Sequence, residues 1–187
     1  ALRVWERFPQ GADILTLGDD DLMSLVLTQR PGYRVTVFEI DPALVRFLRR
    51  RKNRSVDLHS RDLSNGLPSE FQGRFDVVLA DPPYNVEGMG WFMDCCLSAL
   101  KRRDSRLYLS TCPVLLEDAH HLFEQLQLKG LRIEQTFPNF NRYPFPQETH
   151  AITKSGLMHL GYHPALVEIL TEIPYLYAHL YECVWKS

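Results

Sequence analysis

Two short acidic motifs contain the residues whose types and spacing suggest chemistry. The first is Gly18-Asp19-Asp20-Asp21, which follows an apolar run and precedes a helical pattern. A strand that turns into a helix is a common cofactor site, and glycines usually line that turn so that backbone amides can bind an anionic group. Here three carboxylates stand where glycines are expected, which predicts a positively charged ligand.

The second motif is Asp81-Pro82-Pro83-Tyr84, at the end of another apolar run. The two prolines fix a rigid extended turn and hold the neighbouring carbonyl and the tyrosine ring in place. The aspartate and the carbonyl can accept hydrogen bonds from an amine, and Tyr84 can cover that nitrogen by stacking or cation–π contact. The motif therefore predicts a site for a substrate nitrogen; the alternative is a tight turn without function.

Acidic residues also follow two other apolar runs. Glu39 is placed to accept hydrogen bonds from both ribose hydroxyls of an adenosine cofactor, and Asp62 to accept one from the adenine amine. The alternatives are structural. Glu39 could cap a helix, although Asp41 before Pro42 is the better cap candidate, and Asp62 could be a surface turn acid.

These motifs are positioned by an alternation of strand and helix patterns. Helical periodicity fills the gaps between apolar runs, which predicts an α/β fold with a doubly wound, Rossmann-like parallel sheet. Such sheets bind ligands outside the carboxyl ends of their strands, where all the acids above lie. The predicted strands are Ile14–Leu17, Arg34–Ile40, Val56–His59, Phe75–Ala80, Arg106–Ser110 and, last, Tyr177–Trp185.

The last third of the chain departs from this rhythm. The proline-rich and aromatic segment Thr136–Pro146 predicts an ordered loop or flap, because prolines exclude a helix interior. Residues 138–177 are expected to form a loop on the acceptor side, with a short helix at Val167–Thr171.

Composition sets broad limits. The chain has 187 residues, 45% of them hydrophobic, with a net charge of −2, which fits one domain and gives no electrostatic footprint for nucleic acid. No apolar run is long enough for a membrane span. Cys95, Cys96, Cys112 and Cys183 show no metal-ligand spacing and are expected to be core thiols of a cytoplasmic protein.

No metal is expected from the histidines. His120 and His121 are adjacent on a predicted helix and cannot converge on one ion, while His159 and His163 lack a carboxylate partner.

The order of these motifs, over roughly residues 12–137, resembles the class I S-adenosylmethionine-dependent methyltransferases. This resemblance implies a seven-stranded, mostly parallel sheet and a cofactor site formed by Gly18, Asp19, Asp20, Asp21, Glu39, Asp62 and Asp81. The three consecutive aspartates, Asp19 to Asp21, which we call the acid triplet, differ from the methyltransferase pattern. Methyltransferases bind the methionine carboxylate with a glycine-rich loop at this position.

Charge repulsion distinguishes two possible cofactors. Two like charges about 4 Å apart cost about 4 kcal/mol at an effective dielectric constant near 20, so three carboxylates would repel the carboxylate of S-adenosylmethionine. Decarboxylated S-adenosylmethionine has a sulfonium and an ammonium instead, and a polyamine acceptor is a polycation. Aminopropyl transfer therefore fits the acid triplet better than methyl transfer does.

A closer resemblance leads to the same reaction. The stretch Gly18-Asp19-Asp20-Asp21-Leu22, the Pro82-Pro83-Tyr84 turn and Asn139-Phe140-Asn141-Arg142-Tyr143 are similar to the branched-chain polyamine synthases. That family transfers aminopropyl groups to the central nitrogen of spermidine, and its catalytic domain follows a winged-helix-like domain. An upstream domain is therefore expected beyond the single catalytic domain over residues 1–187.

The resemblance implies roles for individual residues. Asp81 is the first choice for the base that deprotonates the attacking amine, with Asp20 or Asp19 second, and Tyr84 completes the catalytic set. The residues expected to contact the polyamine are Pro82, Pro83, Tyr84, Phe140 and Tyr143.

Two other readings remain open at this stage. One is an N-methyltransferase that uses S-adenosylmethionine, which accounts for the Asp-Pro-Pro-Tyr motif but leaves the acid triplet unexplained. The other is a non-catalytic module with a cofactor-binding fold. A homodimer is a further expectation.

Overall fold

The centre of the computed structural model is a seven-stranded sheet with the order β3-β2-β1-β4-β5-β7-β6. All neighbouring strands are parallel except β7, which is antiparallel to both β5 and β6. The structure describes residues 1–112, 119–144, 147–172 and 175–186. The strands are β1 (Ala12–Leu17), β2 (Tyr33–Glu39), β3 (Val56–Ser60), β4 (Val77–Ala80), β5 (Arg106–Thr111), β6 (Leu131–Pro144) and β7 (Tyr175–Trp185).

Helices follow most of the strands and cover both faces of the sheet. They are α1 (Leu2–Arg7), α2 (Met23–Leu27), α3 (Pro42–Arg51), α4 (Val86–Ala99), α5 (Ala119–Leu128), α6 (Gln147–His159) and α7 (Pro164–Glu172), with 3₁₀ turns at Leu63–Asn65 and Ser69–Phe71. The predicted doubly wound α/β fold is confirmed. Strand order reverses between β1 and β4, so a crevice opens at their carboxyl ends.

The central strands are apolar on both faces because helices pack on both sides. Consecutive residues Ile14 and Leu15 of β1, and Val77 and Val78 of β4, are all fully buried. They belong to two hydrophobic clusters, one on each side of the sheet. All four cysteines are buried and none forms a disulfide, as expected for core thiols.

The predicted loop at Thr136–Pro146 is wrong, because residues up to Pro144 belong to strand β6. This strand lies at the sheet edge, where a proline removes no ladder hydrogen bond that a neighbour requires. Its register also shifts twice, first between Ile133 and Gln135. At the second shift, which we call the bulge of β6, the register moves from Phe137 opposite Leu180 to Asn141 opposite Ala178. β6 thus contains two more residues than β7 across this interval.

The predicted acceptor-side loop over residues 138–177 also contains two helices, α6 and α7. His159 is the last residue of α6, and His163 lies in the short connection between α6 and α7. The short helix expected at Val167–Thr171 is confirmed and is longer, spanning Pro164–Glu172.

A buried carboxylate connects α1 to the far side of the sheet. Glu182 of β7 has no exposed side-chain surface, and its Oε1 accepts from Arg7 Nε at 3.1 Å and pairs with Arg106 Nε at 3.2 Å. Glu134 of β6 lies in the same network, 2.7 Å from Arg106. These ion pairs fix α1 across the sheet, so its outer residues can form the wall of the crevice.

We expect Glu182→Gln to lower the free energy of unfolding by about 2 kcal/mol, less than for a fully buried pair because Arg7 remains partly solvated. Urea denaturation measures this change. Glu168→Gln is the matched control, since its ion pair with Lys154 lies at the surface and contributes less than about 0.5 kcal/mol. Equal losses for the two variants would contradict the structural role of Glu182.

Candidate active site

The crevice at the carboxyl ends of β1 and β4 is a cavity of about 540 Å³. Its polar wall contains residues Gly18 to Asp21, which we call the acid loop, together with Asp81 from the end of β4. α1 forms a second wall, which includes Leu2 and the charged side chains of Arg3 and Glu6, and apolar residues of the central strands form the floor. The other lining residues used below are Ser110, Phe140 and Asn141.

The acid loop begins at Gly18, whose φ of +75° lies in the left-handed region that favours glycine. Asp19 then turns into the protein. Its carboxylate accepts hydrogen bonds from the Ser24 amide, at 3.0 Å, and from the Ser24 hydroxyl. Burial raises the pKa of Asp19 to about 6. The predicted contact of Asp19 with a cofactor stays a prediction. Its carboxylate already binds Ser24 at the start of α2.

Asp20 and Asp21 are the two exposed members of the acid loop. The Asp21 amide donates to Asp20 Oδ1 at 3.1 Å, which fixes the loop locally. Partial burial, with the negative charge of Asp20, raises the pKa of Asp21. Both line the cavity, so a cation there would meet two carboxylates that have few protein partners.

Glu39 joins the acid loop to the end of β2. Its Oε2 accepts from the Asp19 amide at 3.1 Å, and its Oε1 accepts from the amides of Ile40 and Asp41 at 2.8 Å each. A carboxylate offers about four acceptor positions, so these three bonds leave room for one ribose hydroxyl. The ribose role of Glu39 stays a prediction.

Two other acids act as caps. Asp41 accepts from the Ala43 amide at 2.7 Å with Pro42 at the first position of α3, so the expected helix cap is confirmed. Asp62 is exposed and accepts from the Ser64 amide at 2.9 Å, and hydrogen bonds with Ser64 lower its pKa. Its predicted adenine contact stays a prediction. Neither Glu39 nor Asp62 lines the cavity.

The Asp81–Tyr84 turn is fixed by packing at the start of α4. Asn85 caps the helix by accepting from the Gly88 amide at 2.7 Å. A Cβ at position 88 would lie 2.5 Å from Pro83 Cγ, so only glycine allows this approach. Pro82 is buried and Pro83 is exposed, and their predicted contacts with an acceptor stay predictions.

The surroundings of Asp81 change its pKa, while its predicted role as a base stays a prediction. Partial burial raises its pKa to about 6, and the charges of Asp20 and Asp21 act in the same direction. The Tyr143 hydroxyl opposes this effect by donating to Asp81 Oδ2 at 2.5 Å. Tyr84 is half-buried, and burial beside Asp81 raises the pKa of its phenol.

The structure adds two residues that sequence reasoning gave no role. Asn141 Nδ2 donates to Ser110 Oγ at 3.0 Å and to Tyr143 Oη at 3.1 Å, so both hydroxyls beside Asp81 share one amide. Phe140 lines the cavity and is 52% exposed, as its predicted acceptor contact requires, whereas Tyr143 and Tyr84 do not line it. In a strand, Asn141 and Tyr143 lie on the same face because they are two residues apart. The sequence did not reveal this, because the prolines of this segment predicted a loop.

Comparison with known proteins places the chain in a family. The family described as "Branched-chain polyamine synthase A C-terminal domain" matches residues 6–160. The chain belongs to this family. The resemblance based on the acid loop, the proline turn and the Asn139–Tyr143 segment is thereby confirmed.

Curated relatives match part of the chain. An uncharacterized protein of Methanocaldococcus jannaschii, MJ0675, is 31% identical over 139 residues, which are 72% of this chain and 35% of that protein. The N(4)-bis(aminopropyl)spermidine synthase of Thermus thermophilus is 36% identical over 97 residues, 49% of this chain and 28% of the synthase. The chain thus aligns with about a third or less of the length of these relatives.

Solved structures support the fold. The branched-chain polyamine synthase of Thermus thermophilus, in complex with N4-aminopropylspermidine and 5′-methylthioadenosine, superposes with a TM-score of 0.77 at 24% identity over 98% of this chain and 53% of that chain. A TehB-like SAM-dependent methyltransferase from Corynebacterium glutamicum gives 0.64 at 17% identity, over 98% of this chain and 86% of that one. The methyltransferase-like fold is confirmed.

Other kinds of site receive no support from the described residues. Among them, no three or more histidine, cysteine, aspartate or glutamate side chains are grouped so as to hold a metal ion. The side chains of His120 and His121 lie outside the described part. Within the same ranges, no helix has the length and apolar character needed to cross a bilayer.

We expect the effect of Asp81→Asn on stability to depend on pH. Because folding raises the Asp81 pKa from 3.8 to about 6, its contribution to stability is present at low pH and lost as the pH rises through this interval. The free energy of unfolding of Asp81→Asn, relative to that of wild type, should therefore be higher at about pH 7 than at about pH 5.

Urea denaturation at the two pH values measures the difference. Asp94→Asn serves as the control because Asp94 is an exposed ion-pair partner on α4, 69% accessible. A difference between wild type and Asp81→Asn that is the same at both pH values would contradict the raised pKa.

Proposed function

We propose that this chain transfers an aminopropyl group from decarboxylated S-adenosylmethionine to a polyamine nitrogen, with the central nitrogen of spermidine as acceptor. The observation that carries the proposal is that Asp20, Asp21 and Asp81 converge on one cavity with an apolar floor. The family and the synthases among its relatives support it. So does the product pair in the Thermus thermophilus complex, which is N4-aminopropylspermidine and 5′-methylthioadenosine.

Charge explains the choice of donor. Decarboxylated S-adenosylmethionine brings a sulfonium and a terminal ammonium, and a polyamine brings further ammonium groups. Asp20 and Asp21 would attract these cations, whereas they would repel the carboxylate of intact S-adenosylmethionine. The apolar floor suits the methylene segments between the charges.

The reaction is a displacement at carbon. The acceptor nitrogen, after losing its proton, attacks the aminopropyl carbon attached to the sulfonium with its lone pair. The carbon–sulfur bond breaks, its electrons return to sulfur, and 5′-methylthioadenosine leaves as a neutral thioether. Asp81 is the base that receives the acceptor proton, and its pKa of about 6 keeps the carboxylate mostly ionised near neutral pH. Tyr84 and Phe140 would help to exclude water from the acceptor.

Methyl transfer from S-adenosylmethionine to a nitrogen is the second candidate. The Asp81–Tyr84 turn and the similarity to methyltransferase folds favour it. A non-catalytic module is the third reading. Binding of 5′-methylthioadenosine would distinguish either enzyme from a module with no cofactor site. The donor that the protein uses, decarboxylated or intact S-adenosylmethionine, would distinguish aminopropyl transfer from methyl transfer.

Two further inferences concern setting and assembly. Four buried cysteines that form no disulfide suit a reducing cytoplasm. A homodimer stays a prediction, which light scattering on the purified chain would measure.

We expect Asp20→Asn to weaken binding of decarboxylated S-adenosylmethionine about tenfold, because one charge-assisted contact to an ammonium is lost. Binding of intact S-adenosylmethionine should change little or improve. Calorimetry with each compound measures the two affinities, and Asp94→Asn on α4 provides a control of the same chemistry away from the cavity. Equal losses for the two compounds would rule out the ammonium role.

We expect Asp81→Asn to lower turnover by about a hundredfold or more, since an amide cannot accept the acceptor proton. Steady-state rates of 5′-methylthioadenosine release provide the measurement. Near-normal turnover of this variant would remove Asp81 from the reaction.

Mass spectrometry of products tests the function itself. Spermidine incubated with decarboxylated S-adenosylmethionine should gain one or two aminopropyl groups, while incubation with S-adenosylmethionine should leave it unchanged. Methylated products from the second incubation would favour the methyltransferase reading instead.

A further inference from the structure

Three strands bring polar side chains to the carboxyl group of Asp81. Asp81 follows β4, Ser110 lies in β5, and Asn141 and Tyr143 lie beyond the bulge of β6. The four residues form a continuous set of contacts, because Asn141 binds both hydroxyls and Tyr143 binds Asp81. The sequence predicted that Tyr143 contacts the polyamine, and it gave Asn141 no role of its own.

The direction of these hydrogen bonds is fixed by chemistry. An amide nitrogen only donates, so Asn141 Nδ2 uses the oxygens of Ser110 and Tyr143 as acceptors. Each hydroxyl then keeps its single proton for another partner. The Tyr143 proton goes to Asp81 Oδ2 across 2.5 Å, a length typical of a bond to a carboxylate. The Ser110 hydroxyl lies next to both groups, and its hydrogen bonding lowers the pKa of Asp81 and of Tyr143.

We propose that Asn141 is a positioning residue, which orients the hydroxyls of Ser110 and Tyr143 as a pair of donors to the Asp81 carboxylate. It does so without touching Asp81. This inference rests on the proposed function, in which Asp81 must be an unprotonated base when the acceptor amine arrives.

The surroundings of Asp81 explain why two donors are needed. Partial burial and the nearby charges of Asp20 and Asp21 all favour the protonated form. Hydroxyl donors oppose that tendency because they stabilise the ionised form, and they also fix the orientation of the carboxylate. Without these donors, the negative charges of the acid loop would favour a protonated Asp81, which could not act as the proposed base.

The bulge of β6 makes this arrangement possible. Between Phe137 and Asn141 the strand contains two residues more than the facing part of β7. Because strand side chains alternate in direction, an even number of added residues leaves Asn141 and Tyr143 on the same, half-buried side as Phe137.

The test is a mutant cycle in which the pKa of Asp81 is measured by carbon NMR of labelled aspartate. The Asp81 signal is identified as the one missing from the spectrum of Asp81→Asn. We expect Asn141→Ala to raise this pKa by about one unit, and Ser110→Ala with Tyr143→Phe to raise it by at least as much. Adding Asn141→Ala to that pair should have almost no further effect, since the hydroxyls through which it acts are gone. The acid limb of the pH–rate profile should move by the same amounts.

Two controls alter neighbouring residues that lie outside the set. Asn139→Gly removes an amide in the bulge at a position with φ of +53°, which glycine accepts. Tyr177→Phe removes a phenol hydroxyl from β7, where Tyr177 faces Arg142 of β6. Neither should change the Asp81 pKa or the rate.

An unchanged Asp81 pKa in Asn141→Ala, or an equal further shift in the background lacking both hydroxyls, would overturn the proposal. If Asn141→Ala does not fold, Asn141→Asp provides the measurement. Its carboxylate would draw both hydroxyl protons away from Asp81 and should raise the pKa by more than one unit. An unchanged value would again overturn the proposal. Because NMR requires no substrate, an inactive but normally titrating protein would reject the proposed function alone.

Discussion

The arrangement of the site depends on the cost of burying several carboxylates at one edge of the sheet, to which their mutual repulsion adds. A fold that gathers acids there must neutralise each one or leave it for a ligand. Backbone amides occupy Glu39 and Ser24 occupies Asp19. Asp20, Asp21 and Asp81 remain at the cavity, and their unfavourable proximity is what a polycation would relieve.

This constraint also connects the site to the rest of the molecule. α1 forms one wall of the cavity and is fixed through Arg7 to a carboxylate buried in β7. The floor is the apolar face of the central strands, so the helices that cover the sheet also shape the ligand space. The fold is similar to that of a SAM-dependent methyltransferase, so the proposed chemistry rests on the acid loop and not on the fold.

Local patterns predicted much of this structure. The apolar runs located the strands from β1 to β5, and Asp41 before Pro42 predicted the start of α3, because these signals lie within a few residues of one another. Strand β6 was missed because the prolines that suggest a loop are tolerated at an edge with a bulge. The role of Asn141 could not be seen from sequence, since its contact with Ser110 joins residues 31 positions apart. Nor could the inward turn of Asp19, which depends on Ser24.

The bulge of β6 has a consequence for how members of this family can diverge in sequence. An edge strand has no outer neighbour, so residues can be gained or lost in the bulge without breaking a second ladder. A change by two residues would keep the amide of Asn141 and the phenol of Tyr143 on the side of Asp81. β6 also tolerates a one-residue step in its pairing, between Ile133 and Gln135. Insertions and deletions along this edge can therefore reshape the exposed aromatic rim while the ladder with β7 continues.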